Sequence, residues 1–113
     1  MALFLQLATY SAQGSQAIAQ DGFVARRSAI QEMLSSAGGS VVGYYAVTNG
    51  DWHVAAIVEL PDSATHADLG RIEVMQIATG GVERLSLLPL ASPEDFDSAS
   101  RLAEEAYQSP GEH

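Results

Sequence analysis

Cysteine and lysine are both missing from this chain of 113 residues, whose five basic residues are all arginine. Without a thiol there is no disulfide framework, no Cys-ligated zinc or iron–sulfur cluster and no Cys nucleophile. Without a lysine amine there is no Schiff base and no phosphate-loop lysine. Positive charge is scarce as well. Against 14 acidic residues the formal net charge is −9, which repels a nucleic-acid backbone and an anionic membrane surface alike. Neither nucleic acid nor membrane is therefore an expected partner. Charged residues make up only 17% of the chain and apolar ones 47%, and a surface with so little charge points to coverage by another chain. The apolar opening from Met1 to Tyr10 lacks a basic n-region, is too short to span a bilayer and is interrupted by Gln6. The expected compartment is the cytoplasm.

What is present reads as alternating strands and helices. Leu3, Leu5 and Leu7 alternate with Phe4, Gln6, Ala8 and Tyr10, the period-two pattern of a strand with two different faces. Ser11 to Gly22 is a loop, or a short helix broken by Gly14 and Gly22. Ala25, Ala29, Met33 and Ala37, with Ile30 and Leu34, make one apolar stripe on a helix from Val24 to Ala37, stopped by Gly38-Gly39. Ser40 to Thr48 and Trp52 to Leu60 are the two arms of a hairpin, with Asn49-Gly50 as a tight two-residue turn. A second helix runs from Ser63 to Thr79. Its apolar residues lie on opposing sides, Leu69, Ile72 and Met75 against Val74 and Ile77, which implies covering on more than one side. Val82 to Leu88 is a fourth strand. Ser92-Pro93-Glu94-Asp95 opens a third helix, with serine as N-cap, proline in the first turn and acids at the positive end of the dipole. Phe96, Ala99, Ala103 and Tyr107 stripe it, and residues 109–113 are expected to form a flexible tail after a single domain spanning 1–108.

This order is β-α-β-β-α-β plus a terminal helix, an α+β, ferredoxin-like split βαβ arrangement with a mostly antiparallel four-stranded sheet. The helices cover one face of such a sheet, and Leu3, Leu5, Leu7, Leu85 and Leu87 are expected on that side. The open face would carry Phe4, Gln6, Tyr10, His53, Ala55, Ile57, Arg84, Ser86 and Leu88. That mixture is too apolar for water and too polar for a dry core. A second copy packing its sheet against this one, a homodimer or higher homo-oligomer, accounts for it.

The residues also carry a resemblance. Gly38-Gly39, Val42-Gly43-Tyr44-Tyr45, Gly50-Asp51-Trp52-His53 and Ile57-Val58-Glu59-Leu60-Pro61-Asp62 follow one another in an order similar to that of the GYD-domain proteins. Gly80-Gly81-Val82-Glu83-Arg84, Leu88-Pro89-Leu90 and Ser92-Pro93-Glu94 continue it, so that nearly the whole chain apart from the tail is covered. The resemblance implies a dimeric α+β barrel, in which two ferredoxin-like sheets face each other across a cavity. That group holds cofactor-free monooxygenases, haem-dependent enzymes, isomerases and binding proteins, so it implies a fold and not a reaction. The sequence departs from the family at the Gly-x-Tyr-Asp run that names it. Gly50 is retained, while Trp52 stands at the tyrosine and His53 at the aspartate. No role of the family's Tyr or Asp passes to those two positions.

Among candidate site residues, His53 ranks first, because an imidazole exchanges protons near neutral pH and on the inter-sheet face would serve as a general base. Its alternative is a hydrogen-bonded histidine at a strand end beside Trp52. Arg84 is the one cation expected on that face, suited to a carboxylate or to an acid of the partner chain. Gln6, Tyr10, Trp52 and Ser86 complete the ligand-binding set. Tyr44 and Tyr45 point to opposite faces, and Tyr45 is taken as the ligand-facing one although the sequence leaves the choice open. No metal is expected. His66 and Asp68, two apart on a helix, do not share a face, and His53 and Glu59 are roughly 20 Å apart at strand rise. No cofactor is expected either. Two functions remain: a cofactor-independent enzyme (proton transfer, isomerase or monooxygenase type) acting on a hydrophobic or aromatic small molecule with His53 as base, or a non-catalytic oligomeric ligand-binding or accessory module.

Overall fold

The computed structural model describes residues 1–106, the side chains of residues 105 and 106 excepted. In chain order the elements are β1 (Ala2–Tyr10), α1 (Ala12–Ser35), β2 (Ser40–Ala46), β3 (Val54–Leu60), α2 (His66–Ala78), β4 (Val82–Leu90) and α3 (Pro93–Ala106). The strands form one antiparallel sheet in the order β2-β3-β1-β4. This is the ferredoxin-like α+β arrangement expected from the element order. The tail from residue 109 onward, with His113, lies outside the described residues, as does Tyr107 of the third-helix stripe.

The core lies between the sheet and one helical layer. Phe4, Ala56, Val58 and Leu60 from the sheet meet Ile30 and Leu34 of α1 and Ile72 of α2. A smaller cluster joins Ala8, Tyr10, Val54 and Val82. Leu85 and Leu87 pack on these clusters as expected, but β1 is turned the other way. Phe4, Gln6, Ala8 and Tyr10 are buried, whereas Leu3, Leu5 and Leu7 lie on the open face. The period-two reading was right and its sidedness wrong, because both faces of β1 are apolar and side-chain size does not reveal direction.

Several boundaries also differ from expectation. α2 begins at His66, capped by Thr65, and not at Ser63. The helix after β1 begins at Ala12, and the break expected at Gly22 is present: two helical pieces meet there across a kink, at a φ of 85° and ψ of 165° that suit glycine. Gly14 does not break it. The connection between β2 and β3 is a wide loop closed by the Val47 N–H donating to the His53 carbonyl at 3.0 Å. A tight Asn-Gly turn needs positive φ at both residues, and Asn49 does not adopt it while Gly50 does. β4 continues through Pro89 to Leu90, since it is an edge strand and one of its sides needs no N–H donor.

Ser11 ties α1 to the far end of the sheet. Its Oγ accepts from the Gly14 N–H at 3.1 Å and donates to the Gly80 carbonyl at 2.6 Å, while its own N–H reaches the Gly81 carbonyl at 3.1 Å. This clamp brings α1 so close to the Gly80-Gly81 turn that a Cβ on Gly14 would collide with the Gly81 carbonyl. Gly14→Ala is therefore expected to destabilise the fold by about 2 kcal/mol, the scale of an overpacked contact. Urea unfolding would show a lower midpoint at unchanged slope.

Candidate functional site

Where β1 and β4 part, at the end of the sheet near the β2–β3 loop, several sequence candidates converge. The β1–β3 pairing ends at Ala8 and Val54, two residues short of Tyr10, whose backbone N–H points to the same side and has no strand partner there. The imidazole of His53 supplies it: Nδ1 accepts the Tyr10 N–H at 2.8 Å, and the ring stacks on the Tyr10 ring at 5.9 Å between centroids. The His53 N–H itself donates to the Ala8 carbonyl at 2.9 Å. With Nδ1 occupied as acceptor, the neutral ring must carry its proton on Nε2. His53 in this arrangement is an exposed hydrogen-bond donor with no free lone pair.

Beside it, the Arg84 guanidinium lies over the Trp52 ring, 4.4 Å from the centroid, an arrangement that holds the planar cation without neutralising it. Among the described residues no carboxylate pairs with Arg84. Arg84 sits opposite Thr9 in the β1–β4 pairing. Thr9, Asp51, His53, Glu83 and Arg84 together line an open concavity of about 540 Å³. On the other side of the His53 ring a more apolar hollow of about 340 Å³ is lined by Tyr10, Ile18, Phe23, Ala46, Val47 and Ser15.

The remaining candidates divide between the faces. Ser86 is two residues along β4 from Arg84 and shares its face, pairing with Leu7. Tyr45 also faces the open side, opposite Ala55, but on β2, so that three strand spacings, about 14 Å, separate it from β4. Its ring lies over Gly43, where a Cβ would collide with it.

Gln6 and Tyr10 are on the helix side and not on the open face, contrary to expectation. Gln6 is 1% exposed, and its amide exchanges two hydrogen bonds with the Gln76 amide of α2, at 3.2 and 3.0 Å. Tyr10 is buried, and its hydroxyl meets the Tyr44 hydroxyl at 2.6 Å. Burial, reinforced by that hydrogen bond, pushes the Tyr44 phenol far above its ordinary value of 10.0. Thr9, Asp51 and Glu83 were missed by sequence reasoning. Asp51 adjoins the family motif and Glu83 adjoins Arg84, but only the strand register brings them to one concavity.

The open face as a whole is more apolar than anticipated. With β1 reversed it carries Leu3, Leu5, Leu7, Ile57, Leu88 and Leu90, of which Leu3, Leu88 and Leu90 are 39%, 45% and 43% exposed. Among the described residues no cluster of acids and histidines is arranged to hold a metal ion, and no helix is long and apolar enough to cross a membrane.

A model of the GYD domain matches residues 4–100, and the chain belongs to the GYD-domain family. No curated protein and no solved structure matches it.

Two outcomes are expected. His53→Ala leaves the Tyr10 N–H without its acceptor and should lower stability by about 1–2 kcal/mol, read as a reduced thermal midpoint even without any ligand. Tyr44 should make the fold alkali-sensitive. Its folded-state value lies above the unfolded one, so the contribution is intact below pH about 10 and is lost as pH rises beyond it. Chemical denaturation at a series of alkaline pH values should show that decline, and Tyr44→Phe should flatten it.

Proposed function

We propose that this GYD-domain protein is a homodimeric small-molecule-binding module. The two open sheet faces meet, and a ligand with an apolar body and a carboxylate lies at the Arg84 end of the interface. The single observation that carries this reading is Arg84: a guanidinium stacked on Trp52, unpaired among the described residues and lining a concavity of about 540 Å³. An unpaired planar cation is matched by a carboxylate, which accepts two of its N–H groups side by side. The His53 Nε2–H and the Thr9 hydroxyl supply further donors to the same oxygens. The leucines of the open face provide the apolar wall, and burying them explains why a second copy is needed.

The enzyme reading is favoured by one separate observation, that Asp51 and Glu83 share the concavity with His53 and Arg84. With its lone pair engaged by Tyr10, His53 would act there as an electrophile that, together with Arg84, stabilises the oxygen of an enolate. A carboxylate, Glu83 or Asp51, would take the proton from the carbon beside the carbonyl. Proton transfer of this kind requires no cofactor.

Benzoate and phenylacetate should raise the thermal midpoint of the native protein, with benzamide as neutral control. At a concentration 100 times Kd the stabilisation is about 2.7 kcal/mol. Arg84→Gln should abolish the shift while leaving the unliganded midpoint within about 0.5 kcal/mol of native, as for an exposed substitution. An equal shift from benzamide, or an undiminished one in the variant, sinks the carboxylate reading. Light scattering at micromolar concentration should give a dimer or larger; a monomer would sink the facing-sheet assembly. For the enzyme reading, deuterium from solvent should enter an enolisable keto acid, and Glu83→Gln or Asp51→Asn should stop it.

A further inference from the structure

The first helical piece of α1, before the Gly22 kink, is anchored at the end of the sheet. The Ser11 clamp and the close approach of Gly14 hold it against the Gly80-Gly81 turn, and Ile18 packs on the cluster of Ala8, Tyr10, Val54 and Val82. Just past the kink stands Phe23, its ring 6.4 Å from that of Tyr10 and tilted by 58°. The apolar hollow of about 340 Å³ lies between this part of α1 and the end of β2. Tyr10, Ile18, Phe23, Val47 and the His53 ring wall it, and its two remaining positions are small, Ser15 and Ala46.

The hollow is open because of those two small residues. Both are exposed, and a leucine at either position would take up much of the space. Phe23 meanwhile leaves 39% of a large aromatic residue to water at its edge, a cost that a bound guest would remove. The rings present faces and edges alike, since His53 stacks on Tyr10 with 19° between the planes while Phe23 meets the same ring at a tilt. These are the arrangements in which a further aromatic ring packs well.

Charge and size narrow the guest. No carboxylate and no guanidinium lines the hollow, and a chain at −9 disfavours an anion that finds no cation there. A cation is disfavoured too, because the Arg26 guanidinium already lies over the Tyr10 ring, 5.9 Å from its centre. A dry apolar cavity of about 150 Å³ holds benzene, so about 340 Å³ takes two fused rings. We propose that the hollow is a second ligand site, for an uncharged, flat molecule of two fused aromatic rings, whose one N–H or O–H bonds to the Ser15 hydroxyl. Indole and 2-naphthol have that form. Benzamide, a single ring whose amide would lose its water, does not. The site is on the helix side of the sheet, so a second copy against the open face leaves it accessible. It shares only the His53 ring with the Arg84 concavity and requires neither the carboxylate ligand nor the dimer.

Calorimetric titration of the native protein with indole and with 2-naphthol should show saturable binding, and cyclohexanol, of one saturated ring, should show none. In methyl NMR spectra the shifts on adding indole should concentrate at Ile18 and Val47 and spare the leucines of the open face. Ala46→Leu and Ser15→Leu change exposed side chains and fill the hollow. Each should keep the native circular dichroism spectrum and weaken indole at least tenfold, while Ala46→Leu retains the benzoate shift. Indole should bind Arg84→Gln as tightly as it binds the native protein. The proposal is overturned by no saturable binding, by shifts confined to the open-face leucines, or by native indole affinity in both filling variants. Indole binding without benzoate binding supports this site and sinks the Arg84 reading alone.

Discussion

Two hydrogen bonds between the amides of Gln6 and Gln76 determine which way the central strand faces. Both side chains are almost fully buried, so each is satisfied only while the other is in place. A one-residue slip of β1 would expose Gln6 and leave the Gln76 amide buried without its partner. With Gln6 inward, Phe4, Ala8 and Tyr10 follow it to the helix side, and Leu3, Leu5 and Leu7 go to the other. The open, leucine-rich face of the sheet is the direct result. A central strand whose most buried position is an amide therefore presents its leucines outward.

The same pairing places the site. Because the β1–β3 pairing stops at Ala8 and Val54, the Tyr10 N–H has no strand partner, and His53 fills the gap with Nδ1. That role accounts for an imidazole at the position where the family's motif has an aspartate, and it turns the other ring nitrogen outward as a donor. Arg84 on the facing strand is held over Trp52, the residue that replaces the family's tyrosine. The two departures from the motif therefore share one end of the sheet with a cation. Donors outnumber free bases at that point, and this is the physical basis for reading it as a binding site for an anion before reading it as a catalytic one.

The acidity of the chain is arranged around these surfaces. Most of the 14 acidic residues lie from Glu59 onward, on α2, β4 and α3. The open sheet face carries mainly leucines. Like charge therefore falls beside that surface and not across it, which permits two copies to approach despite a net charge of −9 each.

Element order, helix caps and the glycine stops were legible in the sequence because they depend on neighbours a few residues apart. Ser92 caps α3, and Gly38 and Gly80 take positive φ after their helices. Membership of the family was legible for the same reason, resting on short motifs in a fixed order. Sidedness was not. β1 is apolar on both faces, so its alternation has a period but no sign, and the sign came from pairing with residues 50 to 80 positions away. Likewise His53, Trp52 and Arg84 were each visible as chemistry, but Thr9, Asp51 and Glu83 joined them only through register. The sequence by itself determined the elements and the kinds of groups available. The tertiary structure decided which face each group occupies, because burial is a property of strands in contact and not of any strand alone.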